Sequence, residues 1–263
     1  MDSYSDRDRL DIAERIGNSD VAYAVDIGFD LNSSALAVKH AGKYPWCYAA
    51  VGVHPHEVKD MDEETLVLIK SLAKKPKVVA IGEIGLDYYR NLSPKEDQRY
   101  WFIEQVKLGL ELDMPIIIHD RDAHGEVLDI LKEEGVFSQK RKSKFPVNPV
   151  TRTEDARLLL HCYSGNAEMA MQYIKLGATI SIAGPVTYKN NRKGPEVVEA
   201  VPLDHLLIET DAPYLTPEPF RGKKNISPFV EFTAKKIAEI KGLTYNEVAE
   251  TTLSNAKRFF DIE

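Results

Sequence analysis

Seven short runs of consecutive apolar residues, each separated from the next by a longer amphipathic stretch, constrain this chain most. The runs are "VAYAVDIG" (21–28), "CYAAVGV" (47–53), "KVVAIG" (77–82), "PIIIH" (115–119), "RLLLH" (157–161), "ATISIAG" (178–184) and "HLLIET" (205–210). Most are apolar on successive rather than alternate residues. That is the pattern of a strand covered on both faces, and hence of a parallel sheet. Helical patterns fill the intervals at about 33–43, 62–73, 94–112, 122–134, 166–176 and 193–200, with 227–241 and 245–260 after the last run. A further helix is predicted over 5–16, with Ser5 as its cap and Gly17-Asn18 as its stop. In 94–112, Ser93 is the expected N-cap, Pro94 the first helical residue and Glu96 the third member of a capping box.

One strand, then one helix, repeated without a break in composition, predicts a single domain over 1–263. Its class is α/β, and its architecture a TIM-like (β/α)8 barrel. Seven strands are recognisable where such a barrel has eight. The element that comes first is the helix at 5–16, so the strand absent from the count is strand one. The stretch 136–156, "VFSQKRKSKFPVNPVTRTEDA", is polar and basic with two prolines. It reads as an inserted surface loop, with Lys140, Arg141, Lys142 and Lys144 solvated.

Composition removes several classes. Hydrophobic residues make up 43% and charged residues 29%, as in an ordinary soluble globule. No apolar run approaches the ~18 residues of a membrane span, and the N-terminus does not read as a secretory leader. The two cysteines, Cys47 and Cys162, favour a reducing, cytoplasmic setting over a disulfide scaffold. A net charge of −7 gives no general attraction for nucleic acid, so a phosphate-bearing substrate needs local cations or metal.

Four strands end in a group that binds metal well: Glu83, His119, His161 and Asp211. In a βα barrel the C-terminal strand ends converge on the mouth where active sites lie. Two carboxylates and two imidazoles buried there are costly unless paired or holding a cation. The set suits a hydrolytic divalent site for Mg²⁺, Mn²⁺ or Zn²⁺. "GVHPH" adds His54 and His56 at i and i+2, either as chelators or as substrate contacts. Arg121 is a candidate for a phosphate or for a structural ion pair. Arg221, Lys223 and Lys224 of "FRGKKN" are candidates for positioning phosphates. Asp122 is expected to cap the helix at 122–134, Asp87 to tie its own loop and Glu209 to orient a neighbour. Tyr100 and Trp101 are expected to pack their helix against the barrel.

The segments "AVGVHPHE", "AIGEIGLDYYR", "PIIIHDRDA", "HCYSG" and "IETDAPYLTP" follow one another at fitting spacings. They resemble the TatD family of metal-dependent deoxyribonucleases, among the amidohydrolase-like barrels, from about residue 5 to the C-terminus. The resemblance implies that Glu83 bridges metal and that His119 and His161 ligate one ion. It implies that Asp211 binds metal and handles the attacking water, which makes Glu83 and Asp211 the catalytic pair. It further implies hydrolysis of DNA phosphodiesters from single strands or ends, one or two divalent ions per chain, and a monomer. Most members begin with a strand ending in a His-x-His pair that ligates the second metal, whereas here no histidine precedes His40. The expectation is a missed upstream start, with a truncated chain or a naturally short member as the alternatives. Two other functions stay open: hydrolysis of a small amide or lactone, and a catalytically impaired remnant that binds metal or nucleic acid.

Overall fold

The computed structural model describes residues 5–263. The expectation that no strand precedes the first helix falls in part on residues 1–4, which lie outside the described residues. Helix α1 (Asp6–Gly17) comes first, and Ser5 Oγ accepts the Asp8 amide at 3.2 Å, as its sequence predicts. The alternation then runs β1 (Ala24–Ile27), α2 (Leu31–Lys43), β2 (Cys47–Val51), α3 (Glu63–Ala73), β3 (Val78–Asp87) and α4 (Lys95–Glu111). It continues with β4 (Ile116–Arg121), α5 (His124–Glu133), the four-residue α6 (Gln139–Lys142) and β5 (Leu158–Leu160). After these come α7 (Ala167–Leu176), β6 (Thr179–Ile182), α8 (Lys193–Ala200), β7 (Leu206–Ile208), α9 (Val230–Lys241) and α10 (Tyr245–Phe260).

Every predicted apolar run contains a strand, and β3 and β4 extend past theirs, to Asp87 and Arg121. Two compact units form, one of Tyr23–His161 and one of the described residues to Ala22 with Cys162–Glu263. In the first, β1 to β5 are parallel and lie in chain order. In β3 to β5, Ile81, Ile84, Leu86, Ile116, Ile118, Leu158 and Leu160 are at most 1% exposed, and Ile117 and Leu159 at the alternate positions are buried too, so these three strands are covered on both faces. Each such side chain contributes about 1.5–3 kcal/mol by leaving water. In the second unit β6 and β7 pair in parallel, and Ile237, Val248 and Phe259 of α9 and α10 are fully buried.

Helix α2 is fastened at two levels. Asp30 caps it, and Ser33 returns the bond to the Asp30 amide at 2.9 Å. One face then brings His40 Nδ1 to 2.7 Å from Asp26 Oδ2 of β1, both side chains nearly buried.

Strand β3 carries the irregularity that matters most. Ile81 pairs with Ile116, but the next pairing is Ile84 with Ile118, so Gly82 and Glu83 sit in a bulge. Bulges re-aim side chains and are common beside active sites. The bulge requires glycine on both sides of Glu83. Gly82 and Gly85 both have φ +150, and a Cβ on Gly85 would lie 1.9 Å from the His119 carbonyl oxygen. "GEIG" is therefore a close approach of β3 to β4 that leaves Glu83 aimed by the backbone.

Several local expectations are corrected by tertiary contacts. Ser93 does not cap α4; the cap is Pro94, with no side-chain bond. Ser93 Oγ instead donates to the His56 carbonyl at 2.9 Å and accepts the Lys59 amide at 3.2 Å. Asp122 does not cap α5, which starts after Ala123; Asp122 takes a left-handed backbone, φ 56. Trp101 is buried as expected, but Tyr100 is half exposed and donates to Glu63 at 3.1 Å. In the 136–156 stretch Arg141 is buried rather than solvated. Its Nε donates to the Ala156 carbonyl at 3.0 Å and its Nη2 to the Met114 carbonyl at 2.8 Å. Among the described residues no helix is long and apolar enough to cross a membrane.

Candidate metal centre

The bulge of β3 places Glu83 at the centre of a ring of imidazoles, all within the Tyr23–His161 unit. Glu83 Oε1 lies 2.7 Å from His119 Nδ1, 3.6 Å from His161 Nε2 and 3.9 Å from His54 Nε2. His119 is the β4 partner of Gly85, and His161 follows directly on β5, its amide bonded to the Ile118 carbonyl. His54 follows β2, with its ring 4.3 Å from those of His56 and His119. Glu83, His119 and His161 thus come together, though only His161 stands at a strand end: Glu83 and His119 lie within β3 and β4, which run on to Asp87 and Arg121, and His54 joins them.

Asp87, at the end of β3, contributes more than its sequence predicts. Its Oδ1 ties its own loop by accepting the Arg90 amide at 2.7 Å. Its Oδ2 also reaches His56 Nε2 at 2.8 Å and His119 Nε2 at 3.2 Å. Glu83, Gly85 and Asp87 stand at i, i+2 and i+4 of one strand, the spacing that puts side chains on one face. That spacing was the available signal. Two buried glutamines of α4 hold the frame. Gln98 accepts the Asp87 amide at 2.8 Å, and Gln105 binds both the amide and the carbonyl of Val53. Gln98, Phe102 and Gln105 recur on the buried face of α4, which is where such clamps are found.

The electrostatics follow from this packing. Burial favours the neutral acid at Glu83, but the charges of His161 and His119 outweigh it and hold the carboxyl well below the usual range. Asp87 is likewise held low against its burial, by its bonds to His119, Arg90 and His56. Burial lowers His119, yet its bonds to Asp87 and Glu83 raise it to about 9. Burial pushes His54 down to about 3.

His54 is neutral, and its tautomer follows from one contact. The His56 amide donates to His54 Nδ1 at 3.1 Å, so the ring proton sits on Nε2, facing Glu83. His54 therefore presents a donor to the cluster. His119 differs, because both its nitrogens face carboxylates, and the proton between Nδ1 and Glu83 occupies a place suited to a cation.

One ligand atom each from His54, Glu83 and His119 lies within 4.8 Å of the others, although in the metal-free tautomer His54 presents an N–H there rather than a lone pair. A buried carboxylate that gathers positive charge from several imidazoles fits a divalent ion, with Asp87 orienting the His119 ring from its far nitrogen. Binding at His119 releases its proton. In the metal-free protein His119 has a folded pKa of about 9 against 6.5 unfolded. Its contribution to stability is fully present below the unfolded value and is lost as pH rises through about 9. Metal affinity runs the opposite way, rising about tenfold per pH unit below about 9 and levelling above it. Calorimetry in two buffers of different ionisation enthalpy measures this; a flat affinity with no proton release refutes the exchange.

The remaining predicted residues are placed as follows. Arg121 lies over the exposed Tyr89 ring at 4.2 Å. Asp211 stands in the second unit, past β7, in a left-handed conformation, φ 56, with its carbonyl accepting the Tyr214 amide. Glu209 does orient neighbours, accepting the Cys162 amide at 2.5 Å and the Ser181 hydroxyl. Arg221 lies over Tyr188 at 4.3 Å and Lys223 over Phe220 at 5.2 Å; Lys224 is 3.8 Å from Asp8.

A family model described as TatD related DNase matches residues 1–261. The chain belongs to that family. Among TatD-family relatives, the uncharacterized metal-dependent hydrolase YabD of Bacillus subtilis is 44% identical over 257 residues, spanning 98% of this chain and 94% of YabD. The 3′-5′ ssDNA/RNA exonuclease TatD of Escherichia fergusonii is 35% identical over 97% of this chain and 94% of its own. Among solved structures, the TatD homologue YJJV of Escherichia coli superposes with a TM-score of 0.84. It is 27% identical and covers 98% of this chain and 93% of its own. The fold class is therefore the TIM-like α/β barrel class of the TatD proteins, with seven parallel strands among the described residues.

Proposed function

We propose that this chain is a metal-dependent phosphodiesterase that removes nucleotides from the ends of DNA, preferring single strands. The observation that carries the reading is the buried Glu83 carboxylate ringed by His119, His161 and His54. The TatD exonuclease relatives support a nucleic-acid substrate.

A bound dication lowers the pKa of a water and offsets charge growing on the phosphoryl oxygens. Glu83, His119 and His161 would hold it. Asp87 keeps the His119 ring in place through its Nε2 proton, and Ser93 and Gln105 fix the "GVHPH" loop around it. His54, neutral and carrying its proton on Nε2, donates a hydrogen bond to an anionic oxygen of the phosphate. His56, bonded to Asp87, orients the same loop. The family motif "IETDAPYLTP" assigns the water's proton to Asp211, a role carried by the resemblance.

The test is release of mononucleotides from an end-labelled single-stranded oligonucleotide with Mg²⁺, Mn²⁺ or Zn²⁺. Release that depends on metal and stops with EDTA is expected. No release with any of the three, alongside turnover of an amide or lactone, refutes the reading.

A further inference from the structure

Two loops of the second unit carry a concentration of positive charge that the metal centre does not use. One, "YKNNRK" at 188–193, runs from the end of the turn after β6 to the start of α8. The other, "RGKK" at 221–224, lies between β7 and α9. Neither contains an acidic residue, although the chain as a whole carries −7. Lys189, Arg192, Lys193, Arg221 and Lys223 are all exposed.

The loops are stitched together and stiff. Tyr188 donates its hydroxyl to the Thr216 carbonyl at 3.0 Å, and the Glu218 amide donates to Thr187 Oγ1 at 2.9 Å. The Arg221 guanidinium lies over the Tyr188 ring at 4.3 Å. Beneath them Phe220 stacks on Phe229 at 4.5 Å with rings 7° apart, and Thr216 Oγ1 donates to the Lys223 carbonyl at 2.5 Å. Buried Asn225 donates to the carbonyls of Thr210 and Tyr214. Glu218 borders the surface, so the positive field is broken there.

Charge placement at α8 runs against helix stability. Arg192 is its N-cap, with no side-chain bond, and Lys193 its first residue. Cations at a helix start oppose the macrodipole, and the same position attracts anions. Aromatic rings paired with arginine, in a cationic surface, are the features with which proteins hold single strands. A stiff surface also loses little entropy when a strand lies on it.

We propose that loops 188–193 and 221–224 form one track for single-stranded nucleic acid. A base stacks on the outer face of Arg221, itself supported by Tyr188, and successive phosphates lie on Lys189, Arg192, Lys193 and Lys223. This rests on the nuclease reading for its substrate but acts through different residues.

The test is fluorescence anisotropy of labelled (dT)20 with the full chain in EDTA, as a function of salt, so that binding is read without cleavage. The Lys189→Ala/Arg192→Ala variant removes two exposed cations. Its affinity is expected to fall about tenfold, and its salt slope by about 1.4, at ~0.7 per phosphate contact on single strands. Tyr188→Ala, which removes the ring under Arg221, is expected to weaken binding about tenfold. An unchanged affinity and slope in the double variant overturns the track, as does equal binding of a blunt duplex of that length. A parent chain that binds (dT)20 but hydrolyses no DNA with any metal overturns the nuclease reading and leaves the track standing.

Discussion

Glu83→Gln is expected to lower metal-dependent hydrolysis about 1,000-fold and to reduce bound metal to near zero. The carboxylate is the one group that His119, His161 and His54 all face, so no neighbour can take its place. The amide keeps the shape and one acceptor oxygen but loses the negative charge that draws cations in. In the metal-free protein the change also leaves His119 with Asp87 as its remaining carboxylate partner. Breaking a buried charge pair in this way costs about 3 kcal/mol. Its pKa then falls, so the stability lost between the unfolded value and about 9 shrinks in the variant. Metal content per chain, hydrolysis of a labelled oligonucleotide and urea melts of metal-free protein together check the assignment. A variant that keeps stoichiometric metal and parental rates removes Glu83 from the centre.

Gly85→Ala is expected to cost more than about 4 kcal/mol, enough to unfold much of the chain at 37 °C. Two independent reasons coincide. The backbone has φ +150, which favours glycine, and the new methyl would meet the His119 carbonyl oxygen at 1.9 Å and its carbon at 2.8 Å. The obstacle is backbone of β4, so no side-chain rotation relieves it. Any folded fraction must push His119 away from Glu83, so metal affinity falls together with stability. Gly125→Ala in α5 is the matched control. Nothing lies within 4 Å of its added methyl, and it is expected to be neutral or stabilising by about 0.5 kcal/mol. Equal melting temperatures for the two variants would rule out the close approach of β3 to β4.

Most strands were legible because they are buried on both sides, so their apolar runs survive without reference to neighbours; β1, partly buried throughout, is the exception. The donors Glu83, His119 and His161 were legible because each follows an apolar run directly; only His161 stands past its strand's end, while Glu83 and His119 lie within β3 and β4, which continue to Asp87 and Arg121. What escaped was whatever a distant group decides. β3 continues past its apolar run because two glycines permit a bulge, and a bulge breaks the period on which strand reading depends. Ser93 carries every local sign of a helix cap, yet the His56 carbonyl and the Lys59 amide claim its hydroxyl. His54 stood undecided between chelator and substrate contact. Its donor role follows from one backbone amide that takes up Nδ1. Asp87 does tie its loop, and its second oxygen faces two histidines that lie far off in sequence.

Arg141 gives the 136–156 excursion a consequence for engineering. Its guanidinium joins the chain just before β4 to the chain just before β5, through the carbonyls of Met114 and Ala156. The detour is thereby closed from near its start to its end, across the fifteen residues that separate Arg141 from Ala156. Replacing the whole detour by a short linker would strand two carbonyls at the entrances of adjacent strands, so a minimised version of this barrel has to keep the arginine or supply another donor in its place.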